Sequence, residues 1–277
     1  MAWPHLSSAV GAQEEALGRI AAAPSSHVIG IDEVGLGACA GPLVVCAAVL
    51  PKGWAHERVK DSKKYHDTKT QTAHQRRVAV VNEVLTPAVL YYYLAEADPE
   101  SIDMLGVDTV LHDLSRAAYS MCRVRYPEAL TVMDGTLDFH THRDFFENTV
   151  ALPKADALVP AVSAASVLAK AYRDGIMVKL DDEFPAYHFK DNKGYPAPAH
   201  LSALREHGVC DHHRRSYKKV REVLPYDLRA PVRSHRHFNP WKSSSVPQSL
   251  GMSAPTLTVT VGEALSSKKL VGAGAAE

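Results

Sequence analysis

The chain has 277 residues, of which 46% are hydrophobic and 22% charged; that is enough apolar material for one large core or two small ones, and it excludes a fibrous or wholly disordered protein. Lys plus Arg (31) equals Asp plus Glu (31), so a uniformly basic surface is excluded and any nucleic-acid site must come from local clustering. The four cysteines (Cys39, Cys46, Cys122, Cys210) lack CxxC spacing and no stretch approaches the ~20 apolar residues of a membrane span, so neither a zinc site nor a disulfide framework is suggested, and a soluble protein of a reducing cytoplasm is the simpler reading.

Residues 1–27 carry Glu14, Glu15 and Arg19 but no long apolar run, and read as an N-terminal extension. Residues 28–34 and 43–50 are short β-branched runs separated by glycines and Pro42, the pattern of two buried strands in a hairpin. From Asp67 to Leu85 the pattern is polar and helical, and the aromatic run VLYYYLA after Pro87 predicts another strand. Residues 99–123 place Ile102, Leu105, Val110, Leu114, Ala117 and Met121 at a helical period. LTVMDG (130–135) predicts a strand ending in an acid and a glycine, and NTVALPK one more strand. Residues 161–183 predict a long helix with an inner stripe of Ala165, Leu168, Tyr172, Ile176 and Leu180. Strands and interleaved helices together predict an α/β or α+β sheet protein.

Charge is uneven along this order. Residues 78–115 hold seven acids and no Lys or Arg, whereas residues 188–222 hold eight Lys or Arg against four acids, a candidate polyanion surface. From residue 226 the chain turns rich in proline, serine, alanine and glycine, and reads as a flexible tail with TLTVTV as a stray strand.

The chemistry begins at GIDEVGLGACAGPL (30–43). Neighbouring strand residues face opposite sides, so Asp32 and Glu33 converge only at a strand end, which Gly35, Gly37 and Gly41 supply. Asp134 ends a second strand, and Asp156 precedes the long helix. Carboxylates gathered at one sheet edge repel unless a cation neutralises them, and an all-oxygen set suits Mg2+ or Mn2+. Taken singly, each motif also fits a solvated turn or a surface helix.

Taken together and in order, the Asp32-Glu33-Val-Gly start, AGP (40–42), DSKK (61–64), VMDG (132–135), KAD (154–156), VPAVSAASVLAKAYRD (159–174), KGY (193–195), HL (200–201), EHG (206–208) and HHRRSY (212–217) resemble bacterial ribonuclease HII over residues 28–222. The resemblance implies a ribonuclease H-like mixed β-sheet flanked by helices, with a catalytic domain at 28–225, a C-terminal helical segment and a flexible tail at 226–277. It implies a monomeric endonuclease, away from membranes, that hydrolyses the RNA strand of RNA–DNA hybrids and cuts at single ribonucleotides embedded in duplex DNA. That is work in ribonucleotide excision repair that leaves 5′-phosphate and 3′-hydroxyl ends. It makes Asp32, Glu33, Asp134 and Asp156 the catalytic carboxylates, the first three as ligands of Mg2+ or Mn2+. Gly35, Leu36 and Gly37 would approach the 2′-hydroxyl, Tyr195 would pack on the sugar, and Lys63, Lys64, Lys170, Arg173, Lys193, Arg214 and Arg215 would contact phosphates. Lys170 and Asp174 also fit a plain helix pair, and Asp174 is read as structural. One departure stands out: Leu36 occupies the position where the family normally has Arg. The alternative is therefore a non-catalytic or weakened hybrid-binding homologue.

Overall fold

The computed structural model describes residues 5–59, 64–67, 72–135, 148–224 and 257–263. Six strands, β1 (His27–Val34), β2 (Leu43–Pro51), β3 (Tyr91–Ala97), β4 (Leu130–Asp134), β5 (Thr149–Leu152) and β6 (Leu257–Glu263), form one sheet in the order β5-β4-β1-β2-β3-β6. β1 and β2 make the expected antiparallel hairpin, β3 continues it, and β4 and β5 run parallel to β1. The sheet is therefore mixed, as the resemblance implies. β6 pairs antiparallel with β3 from Tyr91↔Glu263 to Ala97↔Leu257, so TLTVTV does form a strand; residues 225–256 and 264–277 lie outside the described residues.

The helices are α1 (His5–Ala22), α2 (Ala73–Val80), which runs through a π turn (Val81–Leu85) into α3 (Thr86–Ala88), α4 (Pro99–Leu105), α5 (Val107–Arg125), α6 (Ala155–Leu158), α7 (Pro160–Glu183), α8 (Phe189–Asn192), α9 (Pro198–His207) and α10 (Lys218–Arg221). The helix predicted for 99–123 is interrupted because Gly106 takes a φ of +85°, a conformation that glycine reaches without steric cost. Asp98 caps α4 by accepting the Ser101 N–H at 2.7 Å, and Thr72 and Gln75 form a capping box on α2. The N-terminal extension packs on the body: Ala16 is buried, and Lys52 Nζ donates to the Ala21 and Ala23 carbonyls at the end of α1. No helix among the described residues is long and apolar enough to cross a membrane.

α5 covers one face of the sheet through Val110, Leu111, Leu114 and Ala118; α7 covers the other. α7 departs from a one-sided stripe. Its first half is buried nearly all round, from Ala161 to Ala169, while Tyr172 and Ile176 are only half-buried. The cause is close packing on β1. A Cβ on Gly30 would stand 2.1 Å from the Ala161 carbonyl carbon and 2.2 Å from the Val162 nitrogen, so helix and strand backbones touch with no side chain between them. A third apolar cluster, holding Met177, Leu180, Tyr187, Phe189, Ala203, Leu204 and Val220, joins the C-terminal helices to Cys39 and Ala40.

This spacing makes Gly30→Ala a sensitive probe. The added methyl must push α7 from β1 at an overpacking cost of at least about 1–3 kcal/mol. The urea midpoint is expected to fall with an unchanged slope; an unchanged midpoint would mean that the two elements have slack.

Candidate active site

β1 and β4 are adjacent and parallel, with Ile31 paired to Met133. One step further, Asp32 and Asp134 stand side by side at the carboxyl end of the sheet. Period-two alternation turns Asp32 to the same face as Gly30, toward α7. Val162 lies over Gly30, and one helical turn later Ser166 hydrogen-bonds the Asp32 carboxylate. Asp32 Oδ1 also accepts the Glu33 N–H at 2.9 Å. Asp134 Oδ1 accepts the Ala155 N–H at 2.7 Å, which fastens the start of α6 to the strand end and brings Asp156 in next to it. Asp156 is 4% exposed, and its carbonyl accepts the Ser163 hydroxyl at 2.7 Å.

The electrostatics follow from this crowding. Asp32, only 7% exposed, is held well above the usual carboxylate range. Burial is the largest cause, Glu33 comes next, Ser166 partly offsets them, and Asp134 and Asp156 add smaller repulsions. All four sequence-predicted carboxylates thus act on one point. The donor set is all oxygen, and its mutual repulsion is the kind a hard divalent cation relieves, so the residues fit such an ion chemically. As they lie, no three His, Cys, Asp or Glu side chains among the described residues are grouped to hold one. Asp32 Oδ1 and Asp134 Oδ1 are each engaged with a backbone N–H.

Beside the acids sits the glycine loop. Gly35 has a φ of +93°, and a Cβ there would meet Arg173 Nε at 2.4 Å and the Pro42 carbonyl oxygen at 2.8 Å. Leu36 (38% exposed) and Gly37 form its outer tip. The KGY loop docks on its rear, where Cys39 and Ala40 donate to the Gly194 carbonyl at 2.8 and 3.2 Å. Gly194, at a φ of +80°, has the Ala40 carbonyl oxygen 2.3 Å from where a Cβ would be. Tyr195 is half-buried, its ring beneath Arg173 and Lys170 at 5.6 and 5.5 Å.

The residues expected to contact phosphates divide. Arg173 and Arg214 have no exposed surface (0% each) and no route to a phosphate; this corrects the expectation for both. They face inward because they satisfy carbonyls of the glycine loop, which is tied to the 212–214 segment only by an isolated bridge at Ala40↔His213, and of the adjoining KGY turn. Arg173 donates to Pro42, Lys193 and Ala40, and Arg214 to Gly35, Gly41 and Leu36. Lys170 is engaged with Asp174 at 2.7 Å. Lys193 is half-buried with its Nζ on the Lys190 carbonyl, Lys64 is exposed, and the Arg215 guanidinium is partly exposed, 3.7 Å from Asp211. Lys63 lies outside the described residues. Asp174, fully buried, is clamped by Arg77 at 2.5 Å and by Lys170, away from the other acids. Sequence reasoning missed Ser166, Arg77, Asp103 (which accepts the Arg215 and Ser216 N–H groups) and the His200–His213 contact at 3.0 Å. Only Ser166 and the two histidines lay inside quoted motifs.

A mixed sheet with acids at the ends of two neighbouring parallel strands and a small-residue helix across them is a ribonuclease H-like architecture. Ribonuclease H2 of Pyrococcus horikoshii OT3 has this fold, with a TM-score of 0.51 at 24% identity over 71% of this chain and 96% of that one. Bst-RNase HIII, solved in complex with Mn2+, gives 0.51 at 19% identity over 74% of this chain and 71% of that one. A family model, Ribonuclease HII, matches residues 29–220. A ribonuclease HII of Burkholderia pseudomallei (strain 668) is 38% identical over 204 residues, covering 73% of this chain and 88% of its own. The chain belongs to the ribonuclease HII family and is a ribonuclease H, a hydrolase of the nuclease class.

The raised pKa of Asp32 gives a stability prediction. The folded state holds this proton more tightly than the unfolded chain, so ionisation costs stability as pH rises above the ordinary carboxylate value of about 4. With divalent cations chelated, Asp32→Asn is expected to raise the melting temperature at pH 7, by about 2–4 °C for each kcal/mol relieved, and to gain little at pH 3. A variant less stable than the parent at pH 7 would contradict the crowding.

Proposed function

We propose that this enzyme cleaves the RNA strand of RNA–DNA hybrids and cuts at single ribonucleotides embedded in duplex DNA, leaving 5′-phosphate and 3′-hydroxyl ends. The observation that carries this reading is the convergence on buried Asp32 of the fields of Glu33, Asp134 and Asp156. Asp32, Glu33 and Asp134 would hold two divalent cations, Mg2+ or Mn2+, with Asp156 completing the acid set. Once bound, such ions supply activation of the attacking water and charge stabilisation of the departing 3′ oxygen. The chain's own residues do the positioning. Ser166 orients the Asp32 carboxylate, and Asp134 ties α6 in register with the strand end. Gly37, beside Leu36 at the tip of the glycine loop, offers backbone without a side chain where a 2′-hydroxyl would be sensed, and Tyr195 offers an aromatic face to the neighbouring sugar. Lys64, Lys193 and Arg215 supply exposed or half-exposed positive charge for phosphates, which gives affinity and register without base specificity. Repair of ribonucleotides left in DNA is the process that such cleavage serves.

Two substitutions test this reading. Asp134→Asn keeps a carbonyl oxygen for the Ala155 N–H, so the fold is expected to survive while turnover falls at least about a thousandfold from the lost charge stabilisation. Near-parental cleavage of a duplex with one ribonucleotide in Mg2+ would show that the site is misplaced; a parent without cleavage would favour the hybrid-binding alternative.

Leu36 is held by its backbone, its carbonyl accepting the Tyr217 hydroxyl at 2.6 Å, while its side chain is exposed. Leu36→Arg is expected to tighten substrate binding by about 1.5–3 kcal/mol, the worth of a hydrogen bond to a charged group. It should also steepen the salt dependence by about one phosphate, and shift turnover less than the Michaelis constant. Unchanged affinity and salt slope would mean that the loop tip does not lie against the nucleic acid.

A further inference from the structure

Arg173 and Arg214 are the largest of the fully buried side chains, and their partners are unusual. Arg173 donates from Nε, Nη1 and Nη2 to the carbonyls of Pro42, Lys193 and Ala40, each at 2.8 Å. Arg214 donates from Nε and Nη2 to Gly41 at 3.0 and 2.9 Å, and from Nη1 to Gly35 at 2.7 Å, Leu36 at 3.3 Å and the Tyr217 hydroxyl at 2.9 Å. Among the described residues neither guanidinium has a carboxylate within ion-pair distance. Asp174, next to Arg173 in sequence, is turned to Arg77 and Lys170 instead. Two like charges are thus buried together under one loop with dipoles but no ion-paired carboxylate among the described residues, a costly arrangement for anything that only needs fastening. Burial and the neighbouring Arg214 push Arg173 down to about 10, and burial pushes Arg214 in the same direction. Arg173 still stays protonated at neutral pH, and a guanidinium such as Arg214 does not deprotonate in proteins.

The outward side of the loop is complementary. The Gly35 carbonyl belongs to the same peptide unit as the Leu36 N–H, and the Leu36 carbonyl to that of the Gly37 N–H. Both amides sit on exposed residues and make no hydrogen bond to the described residues. Arg214 donates into both of these carbonyls, and a cation donating into a carbonyl polarises its peptide unit and strengthens the opposite N–H as a donor; the acceptors of Arg173 belong to other peptide units, so Arg173 acts on the loop through its charge alone, its Nε 2.4 Å from where a Cβ on Gly35 would be. We propose that Arg173 and Arg214 are positioning residues that charge the glycine loop from behind, so that its outward amides hold a backbone phosphate of the substrate while neither guanidinium touches the nucleic acid. The proposal rests on the loop lying against the duplex, as the proposed function has it. It assigns to two buried side chains the positive field that Leu36 does not supply at the tip.

Charge and geometry separate experimentally. Lysine keeps the charge and loses the planar fork; glutamine keeps a donor and loses the charge. Full-length R173K, R173Q, R214K and R214Q would be compared with the parent on a duplex with one embedded ribonucleotide, with melting temperature, Michaelis constant, turnover and the salt dependence of binding measured for each. Both glutamine variants are expected to raise the Michaelis constant on the order of tenfold, the scale of a unit charge acting across a layer of backbone. They should flatten the salt slope while turnover at saturation changes less; the lysine variants should keep the parental slope even where they melt as early as the glutamine ones. Lysine and glutamine variants with the same Michaelis constants and slopes, tracking only the loss of melting temperature, would overturn the proposal. So would glutamine variants that fail to fold at both positions, since the charge would then serve the fold itself. A parent that does not cleave the duplex would instead sink the functional reading, a result distinct from an active parent whose four variants behave alike.

Discussion

The backbone contact between α7 and β1 over Gly30 is the constraint from which the site follows. Once Ala161 and Val162 lie against Gly30, the rest of the helix is fixed relative to the strand and the loop beyond it. Ser166, one turn on, meets Asp32; Arg173, two turns further, lies under Gly35 and Pro42; Met177 reaches Gly41, where a Cβ would stand 2.3 Å from its sulfur, and Gly194, where a Cβ would stand 3.1 Å from its methyl. A helix rises about 1.5 Å per residue and a strand about 3.3 Å, so the eleven helix steps from 162 to 173 span about what the five strand steps from 30 to 35 do. The run of alanines and serines in α7 is what permits contact at this distance.

Charge is sorted along that line. The carboxylates collect toward the ends of β1 and β4, where Glu33, Asp134 and Asp156 add to the proton affinity of Asp32; the guanidinia collect under the glycine loop, bound to carbonyls. Asp174 shows what happens to an acid that the helix carries past the cluster. It is buried and bracketed by Arg77 from α2 and Lys170 from its own helix, which stitches α2 to α7. Losing one partner of such a buried pair costs more than the pair itself contributes, because the remaining charge is left unmatched.

The C-terminal segment is locked to the site by neutral histidines. The Cys210 N–H donates to His213 Nδ1 at 3.0 Å, so the His213 ring carries its proton on Nε2 and gives it to His200 Nε2 at 3.0 Å. His200 then holds its own proton on Nδ1 and donates to the Tyr195 carbonyl at 2.8 Å. A second proton on either ring would set two N–H groups against each other. Burial first, and then the neighbouring ring, push His213 down to about 3. The chain of bonds runs in one direction from the HHRRSY segment to the KGY turn, and gives Tyr195 a fixed backbone behind a half-exposed ring.

Much of this was legible in the residues. Alternating and β-branched runs specified the hairpin and β4, since period-two patterning is local, and the order of DE, VMDG, KAD and SAASVLAK carried the family and its four acids. The break at Gly106 was missed because the helical period continues across it, and only the backbone records the positive φ. The direction in which Arg173 and Arg214 point was not legible either. An arginine in a basic, glycine-flanked motif has the same sequence whether it meets a phosphate or a carbonyl, and the choice rests on loop carbonyls, most of them contributed by residues more than a hundred positions away. Composition and spacing therefore determined which chemical groups the chain would gather. The packing of α7 on β1 decided which would face the substrate and which would be buried behind it, because burial depends on neighbours distant in sequence.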